Sequence, residues 1–148
     1  MINPFDDHHF MKQALIEAQR AFDEDEVPVG AVVVANKQII GRGYNLIEKL
    51  HDVTAHAEIQ AISAAANFLG AKYLKDCTLF VTLEPCPMCA GALYWAQIGR
   101  IVYGASDEKK GASKYQPSLF HPSTKIEHGI EASACAHLIR TFFERKRQ

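Results

Sequence analysis

Two thiols and one histidine-glutamate pair are the side chains of this sequence best suited to chemistry. Cys86 and Cys89 stand three residues apart in Pro85-Cys86-Pro87-Met88-Cys89, and His56 stands two residues before Glu58 in His56-Ala57-Glu58. On a helix, positions three apart share a face, so both sulfurs can reach one ion. Pro87 suits the first helical position, which makes Cys86 the N-cap and points the helix's unpaired N–H groups and positive dipole end at the thiolates. A soft ligand pair at such an end suits zinc. A Cys-x-x-Cys at a helix start after a strand is equally the placement of a redox pair, so the thiols alone leave two chemistries open. His56 offers a third metal ligand. Three protein ligands leave the fourth tetrahedral position to water, which is the mark of a catalytic rather than a structural zinc. Glu58, two residues on, is a carboxyl that need not bind the metal. One difficulty is geometric: in a regular helix residues i and i+2 point ~200° apart. His56 must therefore sit at the frayed start of its helix for both groups to face one point. Cys77 and Cys135 could complete a four-ligand site, but one opens an apolar strand and the other a helix, so both are expected in the core.

The elements that must position these groups follow from periodicity. Apolar residues from Phe10 to Phe22 recur at helical spacing and predict a helix over residues 7–22. The β-branched run 29–35 and residues 38–44 predict two strands joined by a tight turn at Asn36-Lys37. Thr54 is expected to cap a helix over 55–69 that stops at Gly70. A strand over 78–83, a helix over 87–98, a strand over 101–103, a long polar loop over 104–122, an edge strand over 125–127 and a last helix from about Ser133 complete the series. Alternating strands and helices imply an α/β fold with helices on both faces of the sheet, and the early hairpin makes that sheet mixed.

Composition sets the class. At 148 residues and 48% hydrophobic content the chain reads as one domain, residues 1–148, with a single core. No apolar run approaches the ~20 residues that span a bilayer, and Asp6, Asp7, His8 and His9 do not read as a secretory signal. A cytoplasmic protein with reduced cysteines is the expectation. Formal net charge is −1, but residues 1–60 carry −5 and residues 100–148 carry +4. The basic third, with Lys109, Lys110, Lys114 and Arg145-Lys146-Arg147, is where a phosphate backbone could lie, although the last three equally suit the negative end of a terminal helix.

His-x-Glu followed by Pro-Cys-x-x-Cys is the signature of zinc-dependent nucleobase deaminases. Around it, Thr54-Ala55-His56-Ala57-Glu58, Val81-Thr82-Leu83-Glu84-Pro85-Cys86, Met88-Cys89-Ala90-Gly91-Ala92 and Val27-Pro28-Val29-Gly30-Ala31-Val32 closely resemble the bacterial tRNA-specific adenosine deaminases of the cytidine deaminase-like superfamily. Asn45 and Gly104-Ala105-Ser106-Asp107 fit that narrower branch. The resemblance implies a three-layer α/β/α sandwich around a mixed, mostly five-stranded sheet. It implies Zn²⁺ on His56, Cys86 and Cys89, Glu58 as the catalytic acid and base, and deamination of adenosine to inosine at the wobble position of a tRNA anticodon stem-loop by a homodimer. By the same resemblance Asn45, Val29, Ala57 and Asp107 contact the substrate, Asp107 at the sugar. The likeness weakens after Asp107, where Gly111-Ala112-Ser113-Lys114-Tyr115-Gln116-Pro117 replaces the family's glycine- and alanine-rich stretch. A superfamily enzyme acting on a free base or nucleoside, such as a guanine, cytosine or cytidine deaminase, is the alternative reading. A structural zinc or RNA-binding module is the less favoured third, since it leaves Glu58 without a purpose.

Overall fold

A computed structural model describes residues 5–147. Helix α1 is Asp7–Asp23, and strands β1 and β2 are Gly30–Ala35 and Gln38–Tyr44. A short helix α2, Ile47–Leu50, precedes α3, Ala57–Leu69. Then follow β3, Thr78–Leu83; α4, Pro87–Ala96; β4, Arg100–Ala105; β5, Lys125–His128; and α5, Ala132–Lys146.

The five strands lie in the order β2-β1-β3-β4-β5. β1 runs antiparallel to both β2 and β3, whereas β3–β4 and β4–β5 are parallel. The expected mixed five-stranded sheet is therefore present. Strand side chains alternate between faces, and here both faces are covered. Ala31, Val33, Leu79, Val81, Ile101 and Tyr103 join the cluster that includes Ala57, Ala61, Ala90 and Leu93 of α3 and α4. Val32, Val34, Phe80 and Val102 meet Phe10, Met11 and Ala14 of α1 and Cys135 of α5 on the other side. Each fully buried Val, Leu, Ile or Phe contributes ~1.5–3 kcal/mol, so the three central strands hold the sandwich together. Cys77 and Cys135 are buried in these clusters, as their apolar surroundings suggested.

The hairpin turns through Asn36 and Lys37 with both φ values positive (51° and 63°), the geometry that matches the twist of a two-residue connection. Asp6 caps α1 by accepting from the His9 N–H at 2.9 Å. α3 ends on Gly70 in the left-handed region (φ 64°). Other boundaries differ from expectation. Thr54 does not cap α3; its hydroxyl donates to Asp52 Oδ1 at 2.7 Å in a local turn, and His56 is the N-cap. A nearer carboxylate outcompetes the helix for that hydroxyl. α4 stops at Ala96, because Gln97 takes the left-handed conformation. β4 extends into the expected loop as far as Ala105, and a single 3₁₀ turn, Ala112–Lys114, lies within the rest of it. α2 had no sequence signal, being a four-residue turn.

α3 rests unusually close to the sheet. A Cβ on Gly43 would stand 2.4 Å from the Ala57 carbonyl oxygen, and one on Gly41 2.4 Å from that of Ala61. Glycines on β2 and alanines at the fourth-residue spacing on α3 let the two backbones meet, which fixes the height of the helix and of the residues at its start.

Candidate active site

The topology brings one end of every site-bearing element to one edge of the sheet. β3 and β4 end there, β2 ends beside them, and antiparallel β1 begins there: Gly30 pairs with Tyr44, and its N–H donates to Thr82 Oγ1 at 3.1 Å. Open α/β sheets bind ligands beyond the carboxyl ends of their parallel strands. A cleft of ≈830 Å³ opens at that edge, and Val29, Asn45, His56, Ala57, Glu58, Cys86 and Asp107 all border it.

His56 and Cys86 occupy equivalent places. Each is the N-cap of its helix in extended conformation (φ −74°, ψ 158° and φ −76°, ψ 171°), and neither side chain caps its own helix. Both are thereby free to turn toward each other, under the positive ends of α3 and α4. The N-cap placement also removes the i, i+2 conflict, because His56 lies outside the helical repeat whose first turn holds Glu58. His56 Nδ1 lies 3.7 Å from Cys86 Sγ and 3.5 Å from Cys89 Sγ, and the three ligand atoms fall within 4.8 Å of one another.

The donor set fits zinc. Tetrahedral coordination with Zn–S of ~2.3 Å and Zn–N of ~2.0–2.1 Å places nitrogen and sulfur about 3.6 Å apart, which the two His56 distances straddle. The imidazole also has the Val53 carbonyl as a backbone acceptor. A hydrogen bond of that kind fixes ring orientation in metal sites. Among the described residues no other His, Cys, Asp or Glu group of three comes as close. A redox pair would not need His56 between its sulfurs, so the geometry favours the metal over that alternative.

Electrostatics divide the thiols. Hydrogen bonds from Cys89 and His56 push Cys86 down to about 4, while Cys89, its partner, is raised by that same contact and by burial. His56 is raised by its contact with Cys86. Glu58, 4% exposed, is pushed up to about 7, chiefly by burial. A carboxyl poised there can take and return a proton at neutral pH.

The remaining candidates differ in how committed their polar atoms are. Asn45 is buried; its Nδ2 donates to the Val27 carbonyl at 3.3 Å and its Oδ1 accepts from the Ile47 N–H at 3.2 Å. Asp107 Oδ1 accepts from the N–H groups of Lys109 and Lys110 at 3.1 and 3.0 Å, shaping a turn. Phe143 and Ile139 of α5 form part of the cleft wall, with Lys109, Lys110 and Arg147 at its edge.

Two buried carboxylates that hold cleft-bordering segments escaped the sequence reading. Glu26 accepts from the N–H groups of Glu48 and Lys49 at 3.0 and 2.8 Å, holding α2 at one rim. Glu84 does the same for the opposite rim. Its signal was a charge directly following the apolar strand Thr78–Leu83, where burial demands partners.

A model of the MafB19-like deaminase family matches residues 5–147. A tRNA-specific adenosine deaminase of Agrobacterium fabrum is 44% identical over 94% of this chain and 95% of its own. The chloroplastic tRNA(adenine(34)) deaminase of Arabidopsis thaliana is 43% identical over 93% of this chain, which spans 12% of that longer protein. Among solved structures, one from a study of A-to-I editing by tRNA:A34 deaminases at the wobble position superposes with a TM-score of 0.82. It is 44% identical over 88% of this chain and 98% of its own.

Proposed function

The chain belongs to the MafB19-like deaminase family, and on that footing we propose that it is a zinc-dependent hydrolase converting adenosine to inosine at the wobble position of tRNA. The observation that carries this reading is the His56-Cys86-Cys89 triangle with the buried carboxyl of Glu58 beside it. Zinc, when bound by these three residues, supplies Lewis-acid activation of a water molecule at neutral pH.

The chain's own residues do the rest. Glu58 accepts a proton from the attacking water as its oxygen bonds to C6 of the purine. It returns that proton to ring nitrogen N1, then carries the second to the exocyclic amine, which leaves as ammonia. Adenosine and water thus become inosine and ammonia. Val29 and Ala57 give the base an apolar wall, and Asn45 offers it hydrogen bonds. Asp107 stands at the mouth, where a ribose would lie. A target adenosine must leave its stack to reach this depth, and the cationic edge of Lys109, Lys110 and Arg147 suits the phosphates on either side.

We further propose a cytoplasmic homodimer. Phe68 on α3 and Trp95 on α4 are 67% and 76% exposed, too apolar to favour water as their neighbour. None of the four cysteines forms a disulfide, which suits a reducing compartment, and no helix among the described residues is long and apolar enough to cross a membrane.

The test is direct. The zinc-loaded protein, incubated with an anticodon stem-loop carrying a wobble adenosine, is expected to yield inosine, whereas free adenine, guanine, cytosine and cytidine remain unconverted. Turnover of a free base with none of the stem-loop would establish the alternative instead.

A further inference from the structure

Glu84 follows β3 and stands two residues before Cys86. Its carboxylate is buried (4% exposed), and both oxygens are engaged. Oε1 accepts from the Asp107 N–H at 3.0 Å and Oε2 from the Ser113 N–H at 2.9 Å. The backbone on either side joins the same segment: the Glu84 N–H donates to the Ala105 carbonyl, and the Pro85 carbonyl accepts from the Ala112 N–H, each at 2.9 Å. Four hydrogen bonds therefore tie residues 84–85 to residues 105–113.

Between those anchors the chain arches over the carboxylate. Gly111 lies flat against it; a Cβ there would stand 2.3 Å from Cδ and 2.4 Å from each oxygen. The arch is closed by the Gly111 N–H donating to the Asp107 carbonyl at 2.9 Å. What the arch presents to the cleft is Asp107, Glu108, Lys109 and Lys110. With both oxygens accepting backbone N–H groups, Glu84 is not a second proton carrier beside Glu58.

We propose that Glu84 is a positioning residue for substrate: its two hydrogen bonds fix the Asp107–Ser113 arch as a rigid cleft wall at a set distance from the metal-binding Cys86 loop. One backbone thus carries both the reacting centre and the support for the wall that receives the nucleotide. The mode of action on substrate rests on the tRNA reading above; the mechanical link stands without it.

Glu84→Gln keeps the side chain's size but sets an amide NH₂ against one backbone N–H. Losing one hydrogen bond to a charged acceptor is expected to raise hydrogen exchange in peptides covering 105–114 about ten-fold. Peptides from β1, β3 and β4 should exchange as in the wild type, and metal content should be unchanged. With the wobble-adenosine stem-loop, KM is expected to rise about ten-fold while kcat stays within about two-fold. Gly111→Ala, which presses a methyl against the carboxylate from the other side, should reproduce the pattern. Unchanged exchange in 105–114, exchange that rises throughout the sheet, or a fall in kcat at constant KM would each overturn the proposal. If the wild-type protein leaves the stem-loop untouched, the tRNA reading fails by itself, and the exchange comparison still decides whether Glu84 holds the arch.

Discussion

His56, Glu58, Cys86 and Cys89 show how one backbone state, the extended N-cap, assembles a site that regular helices would scatter. In His56 and Cys86 the side chain is released from helical direction just where the dipole is most positive, and Glu58 and Cys89 then follow in the first turn. This separation of roles sets two expectations. Cys86→Ala and Cys89→Ala should lose zinc on metal analysis and melt at lower temperature, because ligand loss removes binding energy that is also folding energy. Glu58→Gln should keep zinc and melting temperature yet lose about 10²–10⁴-fold in kcat, the range of a general acid-base group; near-normal turnover would remove Glu58 from the proton path. A third expectation concerns protons. In the metal-free protein Cys86, pushed down to about 4, is already a thiolate at pH 7. Cys89 and His56 are shifted upward, toward their protonated forms. Since a metal needs the thiolate and the neutral imidazole, binding must expel protons, and apparent affinity must rise with pH from 6 to 8. Calorimetry of zinc binding in buffers of different ionisation enthalpy should return a buffer-dependent heat; a heat that is the same in all of them contradicts these shifts.

The site works only if α3 is held at the right height, and the glycines of β2 set that height. Gly43→Ala and Gly41→Ala introduce the same methyl at the same 2.4 Å approach, one against Ala57 and the other against Ala61. Overpacking of this kind costs ~1–3 kcal/mol, so both variants should lose comparable stability in urea unfolding. Only Gly43 faces the turn that carries His56 and Glu58, so its variant should lose far more activity per unit of stability. Equal losses of activity would mean that α3 shifts as a whole. These close contacts also mark the limit of what could be read from sequence. Element types and order were legible because strands buried on both faces read as apolar runs, and α1 as a 3.6-residue repeat. Pro87 announced the start of α4, and with it Cys86 at the N-cap. The start of α3 was misread at Thr54, since a threonine beside an aspartate has a local partner that no spacing rule reveals. His56 could be required to lie outside the helix but not shown to do so. Glu26 and Glu84 were passed over because their partners are backbone N–H groups 22 to 29 residues away, contacts that exist only once the sheet has formed.

Charge is sorted by folding as well as by sequence. The +4 of residues 100–148 is not spread evenly over the surface. Arg100 is held between Asp7 and Glu127, at 2.6 and 2.8 Å. Arg145 and Lys146 turn back to Asp25, at 3.4 and 2.5 Å, with the Arg145 guanidinium 4.2 Å from the centre of the Phe22 ring. Of the terminal Arg-Lys-Arg cluster, only Arg147 borders the cleft, together with Lys109 and Lys110. Those three form no ion pair among the described residues, and they share the cleft border with Asp107 and Glu108. Each phosphate they neutralise releases counterions, and log affinity for single-stranded segments falls with log salt at ~−0.7 per contact. Replacing Lys109 and Lys110 together with alanine should therefore flatten the salt dependence of stem-loop binding by up to ~1.4. Zinc content should stay as in the wild type, because neither lysine belongs to the His56-Cys86-Cys89 group. The matching double variant Arg145→Ala/Lys146→Ala should leave the slope alone, since those cations are spent on Asp25. Titrating a fluorescent stem-loop at several salt concentrations separates the two cases. If the second variant flattened the slope and the first did not, the RNA path would run along the far end of α5 and away from the mouth of the cleft.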